Sequence, residues 1–415
     1  MTPEVKERIE QIRHGNVPEG YVMSEVAICP KEWNFASIAD VGSVITGSTP
    51  PTTNANYYLG NKLFITPADF NAGLYIRKSK RTISDSAYSV SRIVPANSIY
   101  VVCIGATVGK INMCVDEAVC NQQINAVIPK KENDSVFLYY CIDYFFNKIK
   151  KKYIGEQTLP IVSKGQFSKI QIVLPQVEEQ QKIAGILAKQ DRIIELKGKL
   201  LSEKQRQKKY LMQRLLTGKK RLHGFDGEWM YVRANQIFKN VTYKKHDGTM
   251  EVLSATQDRG IIPRSQVDID IKYAEESLTG YKKVVKGDFV LSLRSFQGGI
   301  EYSEYTGIVS PAYTVLTSIC PIEDNYYRQF FKSADYINRL NIAVYGIRDG
   351  KQISYDDFGR IKIPYPPLDE QKAIAAVLAT ADKEIEILKR ALEQEKQKKK
   401  ALMQLLMTGI VRVSV

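Results

Sequence analysis

The sequence predicts an α+β protein in which two similar mixed α/β globular domains are joined by two long antiparallel coiled-coil helices. Three observations lead to this fold class: a long segment that occurs twice, a coiled-coil pattern of residues inside each copy, and a turn-rich, β-rich stretch before each copy. The repeat gives the chain an internal pseudo-twofold organisation. Its 415 residues provide room for several domains.

The repeated segment covers residues 175–222 and again residues 366–413. The two copies align without a gap at a constant offset, 366 − 175 = 191. Both copies begin with a proline, Pro175 and Pro366, and both have a glycine near the end, Gly218 and Gly409. Proline suits the start of a helix and glycine the position just after it, so each copy reads as one long helix.

A seam runs along each predicted helix at alternating steps of four and three residues, which is the pattern of a coiled coil. A single helix of this kind cannot bury its seam, so two copies in one chain predict an antiparallel pair. The seam residues are Ile183, Leu187, Gln190, Ile194, Lys197, Leu201, Lys204, Lys208, Leu211 and Leu215 in the first copy, and Ile374, Leu378, Ala381, Ile385, Leu388, Leu392, Glu395, Lys399, Leu402 and Leu406 in the second.

The remaining segments follow in order along the chain. We predict an N-terminal helix within residues 1–20, a first globular domain at 21–174, the first long helix and a linker at 175–222, a second globular domain at 223–365 and the second long helix at 366–415. Inside the first globular domain, residues 99–104 and 170–174 have the composition of strands, and residues 135–150 that of a helix. The two globular domains resemble each other weakly, with Gly109 set against Gly299.

Composition narrows the class of protein. The net charge of +14, from 59 basic and 45 acidic residues, points to nucleic acid or another anionic partner, although a basic protein with solvated lysine faces gives the same balance. The six cysteines show no metal spacing and indicate a reduced, cytoplasmic protein. No apolar run reaches the eighteen or so residues of a membrane helix, and the charged N-terminus is not a signal peptide.

A search for catalytic motifs finds none. Residues 105–110 look like a phosphate-binding loop, but three residues instead of four separate the glycines, and Ile111 stands where a magnesium-binding hydroxyl is needed. The three histidines are far apart in the sequence. We therefore predict no catalytic residue, no metal and no cofactor on this chain.

Basic runs and polar loops supply candidates for DNA contact, since phosphates require cations and base edges require Arg, Lys, Asn or Gln. The alternative for each residue is an ordinary exposed loop side chain. The predicted DNA-binding residues are Lys80, Arg81, Lys110, Gln122, Gln157, Thr158, Lys164, Arg294, Gln297, Arg348 and Lys351.

Three apolar residues of the first long helix lie off the seam: Ile193, Leu196 and Leu200. Exposed apolar groups often mark a protein interface, so we predict that they bind a partner. The alternative is that they pack on the globular domains or widen the core of the helix pair.

Several of these segments together resemble the specificity subunit of a type I restriction–modification enzyme, over essentially the whole chain. The resemblance is carried by Gly47-Ser48-Thr49-Pro50, by Asn121-Gln122-Gln123, by the helix entries at 175–180 and 366–371, and by the helix exit and linker at 215–225. The second domain departs from the pattern, because Ser310-Pro311-Ala312-Tyr313 stands where Asn-Gln is expected.

The resemblance implies that each globular domain recognises one half of a split site in double-stranded DNA. The long helices would set the gap between the halves and dock methyltransferase subunits, two of them, which would carry S-adenosylmethionine. Motor–nuclease subunits would join through the complex, and this chain would not be catalytic. Two other readings stay open: a coiled-coil scaffold or adaptor whose globular domains bind proteins, and an enzyme with an unrecognised site.

Overall fold

A computed structural model describes residues 2–154, 160–246, 248–267, 275–292, 295–343 and 353–413. The chain forms two compact units. The first unit contains Met1–Lys199 and Arg390–Val415, and the second contains Leu200–Lys389. Gln157, Thr158, Arg294, Arg348 and Lys351 lie outside the described residues, and the domain boundaries given above remain a prediction.

The elements of the first globular region begin with an N-terminal helix, as expected. In chain order they are α1 Pro3–Arg13, β1 Tyr21–Met23, β2 Ile28–Pro30, β3 Asn34–Ser37, α2 Ile38–Val41, β4 Gly42–Thr46, β5 Lys62–Ile65, β6 Tyr75–Ile76, β7 Arg81–Ile83, α3 Asp85–Ser89, β8 Ile93–Val94, β9 Ile99–Val102, β10 Ile111–Cys114, β11 Ala118–Cys120, β12 Ile124–Pro129, α4 Ser135–Ile149, α5 Lys151–Ile154, α6 Lys164–Ser168 and β13 Gln171–Leu174. The strands expected at 99–104 and 170–174 and the helix expected at 135–150 are thus confirmed.

The described residues of the first unit form two larger sheets, in addition to the two-stranded pairs β1-β2 and β13-β3. The five-stranded sheet has the order β4-β12-β9-β10-β6, and the four-stranded sheet has the order β7-β5-β11-β8. Most neighbours are antiparallel, while β6 runs parallel to β10 and β5 runs parallel to β11. Helix α4 packs against β9, β10 and β13, and its buried aromatic residues, Phe137, Tyr140 and Phe145 among them, fill the core. Asp134 caps the helix by accepting a hydrogen bond from the Phe137 amide at 2.7 Å.

The second unit repeats this topology. Its elements follow the first long helix, α7 Val177–Leu215, and precede the second, α12 Leu368–Met407. They are β14 Met230–Arg233, β15 Phe238–Val241, β16 Leu253–Thr256, β17 Gly260–Pro263, β18 Lys282–Val284, β19 Phe289–Leu291, α8 Ser295–Gly298, β20 Glu301–Tyr302, β21 Gly307–Val309, β22 Thr314–Ser318, α9 Asp324–Phe330, α10 Ala334–Ala343, α11 Tyr355–Arg360 and β23 Lys362–Tyr365.

Most of the strand order of the first unit recurs in the second, although the pairs β5-β7 and β16-β17 each occur in one unit alone among the described residues. The sheet β15-β22-β19-β20 repeats β4-β12-β9-β10, the pair β18-β21 repeats β8-β11, and the pair β14-β23 repeats β13-β3. Two parallel bridges, Val252 with Ile308 and Ile261 with Ser303, stand where β5 meets β11 and β6 meets β10. The internal pseudo-twofold repeat predicted from the helices therefore extends through both globular domains.

The seam predicted for the two long helices is confirmed, because every one of its residues is buried or half-buried. Within the first unit, Lys399 forms an ion pair with Asp191 at 2.7 Å, and Lys197 forms one with Glu395 at 2.8 Å. Within the second unit, Lys208 pairs with Asp382 at 2.6 Å. As the residue number rises along α7, the number of the partner residue on α12 falls. The helix segments are therefore antiparallel in each unit.

A buried charge pair closes the helix pair in each unit. In the first unit, the Arg412 guanidinium donates two hydrogen bonds of 2.8 Å to the carboxylate of Glu179 and lies over the ring of Trp33. In the second unit, Arg221 binds Glu370 in the same bidentate way. These pairs are equivalent at the repeat offset, since 370 − 179 and 412 − 221 are both 191. After the helices, Gly218 and Gly409 adopt φ of 68° and 66°, which glycine adopts without strain.

Candidate nucleic-acid interface

Four polar loops of the first unit meet at one end of its five-stranded sheet, where β4 and β9 end and β10 and β12 begin. Backbone hydrogen bonds fix their positions: Cys103 donates to the Gln123 carbonyl at 2.9 Å, Val102 to the Lys110 carbonyl at 2.9 Å, and Val162 to the Cys103 carbonyl at 2.8 Å. We call this end the loop edge; it comprises residues 46–50, 103–110, 121–123 and 160–164. It brings together the predicted residues Lys110, Gln122 and Lys164, all of them exposed.

Gln122 is held by a neighbouring hydroxyl. The Thr49 hydroxyl donates a hydrogen bond of 2.5 Å to the side-chain oxygen of Gln122. Because that oxygen is engaged, the amide nitrogen of Gln122 remains to donate outward. Beside it, the Asn121 amide donates to the Gln123 side-chain oxygen at 2.9 Å. Side-chain amides at this edge suit the acceptors and donors displayed by bases in the major groove.

Arg81 lies next to the same loops. Its guanidinium stacks on the ring of Tyr58 at 4.8 Å, and the Tyr58 hydroxyl donates to the Pro50 carbonyl at 2.7 Å. Lys80 precedes it with an exposed side chain, while the Lys80 backbone amide donates to the carboxylate of Asp69 at 2.6 Å. The guanidinium thus has a fixed direction and keeps a charge available to a ligand.

The basic run at residues 148–152 is partly used inside the unit. Lys148 donates to the Val26 carbonyl at 2.8 Å, and Lys150 donates to the Val108 carbonyl at 3.1 Å. Burial also lowers the pKa of the Lys148 ammonium. Lys150 therefore supports the loop at residues 103–110, and Lys148 supports the segment between β1 and β2, so neither ammonium is fully available to a ligand.

In the second unit, Gln297 is exposed on the short helix α8, in the loop that follows β19. That loop corresponds to residues 103–110 of the first unit. The predicted set took Gln122 from the Asn-Gln-Gln motif and did not include Asn121, Gln123 or Thr49. The hydrogen bond from Thr49 to Gln122 joins residues 73 positions apart, so it appears only when the two loops meet.

The apolar residues predicted to bind a partner are exposed on α7: Ile193 at 39%, Leu196 at 48% and Leu200 at 47%. Their spacing of three and four residues places them on one face of the helix. None of the three is a buried core residue in the structure, and their role in binding a partner stays a prediction. The equivalent of Leu196 on α12 is Ile387, since 196 + 191 = 387, and it is 66% exposed. The second copy therefore carries an apolar residue at the same place, which the sequence analysis missed.

The residues that the structure describes contain neither a candidate metal site nor a candidate membrane-spanning helix. No group of three or more His, Cys, Asp or Glu side chains in this part of the chain is arranged to hold a metal ion. None of its helices combines the length and the apolar character needed to cross a membrane.

The fold and the loop edge define a protein of duplicated recognition domains, each carried on paired segments of the same two helices. The chain belongs to the family described as the type I restriction modification DNA specificity domain, whose family model matches residues 30–204 and again residues 227–396. It is therefore a specificity subunit of a type I restriction–modification system, with two target-recognition domains.

Known relatives support this assignment. The chain is 26% identical to the type I restriction enzyme MjaVIII specificity subunit of Methanocaldococcus jannaschii over 92% of this chain and 94% of that protein. It is 32% identical to the MjaIX specificity subunit of the same organism over 42% of each chain, which is less than half of that relative's length. It is 32% identical to the HindI specificity subunit of Haemophilus influenzae over 39% of this chain and 36% of that protein.

Two solved structures share the fold. A chain from a study of assembly and conformational transition in the type I R-M system has a TM-score of 0.59 at 17% identity, covering 92% of this chain and 99% of that one. The type I restriction–modification S subunit from M. genitalium has a TM-score of 0.55 at 15% identity, covering 93% and 97%. At these identities the likeness concerns the fold.

Proposed function

We propose that the chain recognises a bipartite site in double-stranded DNA, with each globular domain binding one half. The observation that carries the proposal is that the two domains share their strands but differ in the residues at their loop edges. The two domains share most of their strand order, and the turn before β12 in the first can be matched with the turn before β22 in the second, since the Ile124 amide donates to the Asn121 carbonyl and the Tyr313 amide to the Ser310 carbonyl. Gln123 at the loop edge of the first domain therefore corresponds to Ala312 in the second. One scaffold with two different edges suits the recognition of two different half-sites.

In this proposal the long helices bind the partner subunits. The exposed face of α7 around Leu196 and the equivalent position Ile387 on α12 dock two methyltransferase subunits. Those subunits bind S-adenosylmethionine, and motor–nuclease subunits join the same complex. The chain itself carries no catalytic group, acts in the cytoplasm, and supplies the address and the assembly platform.

Site selection from a DNA library with a random centre tests the proposal. The full chain is used alone and together with the methyltransferase subunit of its own system. We expect two short conserved sequences separated by a fixed gap, and an affinity that falls steeply with salt. Recovery of unrelated sequences, or one continuous site, would contradict it.

A domain swap shows which globular domain recognises which half of the DNA site. Replacing residues 21–174 by the corresponding domain of another specificity subunit should change one half of the selected site and leave the other unchanged. Methyl transfer to DNA by the chain without any partner would contradict the non-catalytic role.

A further inference from the structure

A cation occupies the same place in both units although the surrounding sequences differ. In the first unit β8 pairs Ile93 with Val119, and in the second β18 pairs Lys283 with Ile308. The residues immediately before Ile93 and Lys283 are Arg92 and Lys282. Their offset, 282 − 92 = 190, is the one that relates Gly109 to Gly299. The two cations are therefore equivalent positions of the repeat.

Arg92 is fixed at the loop edge of the first unit. Its backbone amide donates to the Ser48 hydroxyl at 3.2 Å, and its Nη1 donates to the Thr46 carbonyl at 3.0 Å. Thr46 ends β4 and Ser48 belongs to the Gly-Ser-Thr-Pro loop. The guanidinium is thus attached to the loop that also positions Gln122.

Lys282 is fixed at the corresponding edge of the second unit. Its ammonium donates to the Tyr313 carbonyl at 2.6 Å, and the next residue, Lys283, donates its backbone amide to the Tyr243 carbonyl at 2.8 Å. Tyr313 corresponds to Ile124 at the start of β12, because the Tyr313 and Ile124 amides donate to the carbonyls of Ser310 and Asn121, each three positions earlier. Tyr243 follows the end of β15 as Ser48 follows that of β4. Both cations therefore lie at the loop end of their own sheets, where Arg92 donates to the end of β4 and Lys282 donates to the residue before β22.

The side chains of Arg92 and Lys282 make the same kind of contact in the two units. Each side chain donates to a backbone carbonyl, and within the part of the chain that the structure describes neither forms an ion pair. Burial, and then the neighbouring Lys244 ammonium, lowers the pKa of Lys282. Each side chain also keeps N–H groups that the carbonyl does not use. A fixed, uncompensated cation with free donors is suited to an anionic oxygen ligand.

The residues around the two cations decide which part of DNA they contact. Pro311 and Ala312 of the second edge stand where the first has Gln122 and Gln123, so the base-reading chemistry differs between the two edges. The cation has been kept. Phosphates are the same in every sequence, whereas bases differ between half-sites.

We propose that Arg92 and Lys282 are equivalent phosphate anchors, each binding one phosphate of its own half-site and so setting the register in which the neighbouring loops meet the bases. This inference rests on the proposed function, because it requires both domains to bind DNA.

The test uses Arg92→Gln and Lys282→Gln in the full chain with its methyltransferase partner. Glutamine removes the charge and keeps an amide donor, although its side chain is shorter than that of Arg or Lys. Affinity is measured over a series of salt concentrations for the selected duplex and for duplexes with single base changes. We expect each substitution to weaken all duplexes by the same factor, roughly tenfold or more. The slope of log affinity against log salt should fall by about one unit, with base preference unchanged.

Three controls define the outcome. Arg92→Lys and Lys282→Arg keep the charge and should keep the salt slope, and their thermal melting shows that the fold is intact. Arg13→Ala removes an exposed cation of α1 that pairs with Glu10, and it should change nothing. An unchanged slope in both glutamine variants, or a changed preference at one base, would overturn the anchor role. Absence of sequence-dependent binding by the unsubstituted complex would instead overturn the proposed function, and the anchors with it.

Discussion

Some side chains of the loop edge could be predicted from the sequence and others could not. Lys110, Gln122 and Lys164 were selected as polar residues in turn-rich segments, and the sheet brings their loops to one end. Thr49 and Arg92 were not selected, because their roles depend on hydrogen bonds to residues 73 and 46 positions away. A sequence read in local windows contains no signal for such pairs.

Gln122 gives the first residue-scale prediction. Replacing it by Ala should relax selection at one base position of one half-site, at a cost of about 1–3 kcal/mol for the preferred base. Thr49→Val removes the hydrogen bond that orients the amide, so it should relax the same position to a smaller extent. Site selection with both variants measures this. A uniform loss of affinity with unchanged base preference would show that Gln122 does not read a base.

The ion pair between Arg412 and the buried carboxylate of Glu179 gives the second residue-scale prediction. The Glu179 side chain is 2% exposed, so Arg412→Ala leaves a carboxylate buried without its bidentate partner. The expected loss is about 3–5 kcal/mol in the free energy of unfolding of the first unit. Arg192→Ala is the matched control, because its pair with Glu195 lies at the surface and should contribute about 0–1 kcal/mol. Denaturant unfolding measures the free energy of unfolding of both variants. Small and equal losses in the two variants would contradict the prediction.

At the scale of elements, the long helices could be predicted from the sequence, whereas the pairing of strands into sheets could not. A seam of period 3.5 over about forty residues is a strong signal, and every seam residue proved to be at least half-buried. The strands have two to six residues, which is too short for a period of two to be distinguished from chance. The parallel pairing of β5 with β11 and of β6 with β10 joins residues about 40 to 55 positions apart, so it depends on the tertiary fold.

The polar part of the seam predicts a pH dependence. Lys197 and Gln190 donate hydrogen bonds to Glu395 and hold the pKa of its carboxyl below the ordinary value. A carboxyl whose folded pKa is lowered stabilises the fold above its unfolded pKa of about 4.3, and the contribution is lost as pH falls through the folded pKa. The melting temperature of the wild type should exceed that of Glu395→Gln at pH 7, with a difference that shrinks below about pH 4.

Glu393→Gln, on an exposed side chain of the same helix, is the control for this measurement. It should leave the melting temperature nearly unchanged at both pH values. A difference between wild type and Glu395→Gln that stays constant from pH 7 to pH 3 would show that the charge of Glu395 does not stabilise the helix pair.

The exposed apolar positions of the helices give a prediction on assembly. Leu196→Ser and Ile387→Ser change side chains that are already exposed, so the melting temperature of the isolated chain should stay the same. Each substitution should weaken the binding of one of two methyltransferase subunits, and the double substitution both. Mass measurement of the reconstituted complex reports the stoichiometry. Val90→Ser, at an exposed valine outside the long helices, is the matched control. Full assembly of the double variant would place the docking surface elsewhere.

At the scale of the whole molecule, the duplication explains why both units share one plan. Each unit takes one part of α7 and one part of α12. The ion pair of Asp191 with Lys399 in the first corresponds to that of Asp382 with Lys208 in the second, at an offset of 191 for both partners. The sequence revealed the repeat of the helices because they have remained similar. It did not reveal the repeated sheet order, because the globular domains keep the strand register while their side chains differ.

The last prediction concerns the proposed role of the helices in setting the gap between half-sites. One heptad inserted after Lys199 and one after Lys389, at the limits of the two units, keeps the seam in phase. It also leaves the ion pairs of Lys197 and Lys204 on their own sides of the insertions. Seven residues add roughly 10 Å of helix, which corresponds to about 3 base pairs of DNA length.

Site selection with variable central spacing should therefore yield a gap that is longer by up to about 3 base pairs. The half-site sequences should be unchanged, because the globular domains are untouched. The rotation of the DNA helix over the added length also has to be absorbed, so we expect weaker binding together with the longer gap. A four-residue insertion in α7 alone is the control, since it breaks the seam and should abolish binding to any spacing. If the double-heptad protein folds and binds but retains the original gap, the helices serve as a docking platform and do not determine the spacing.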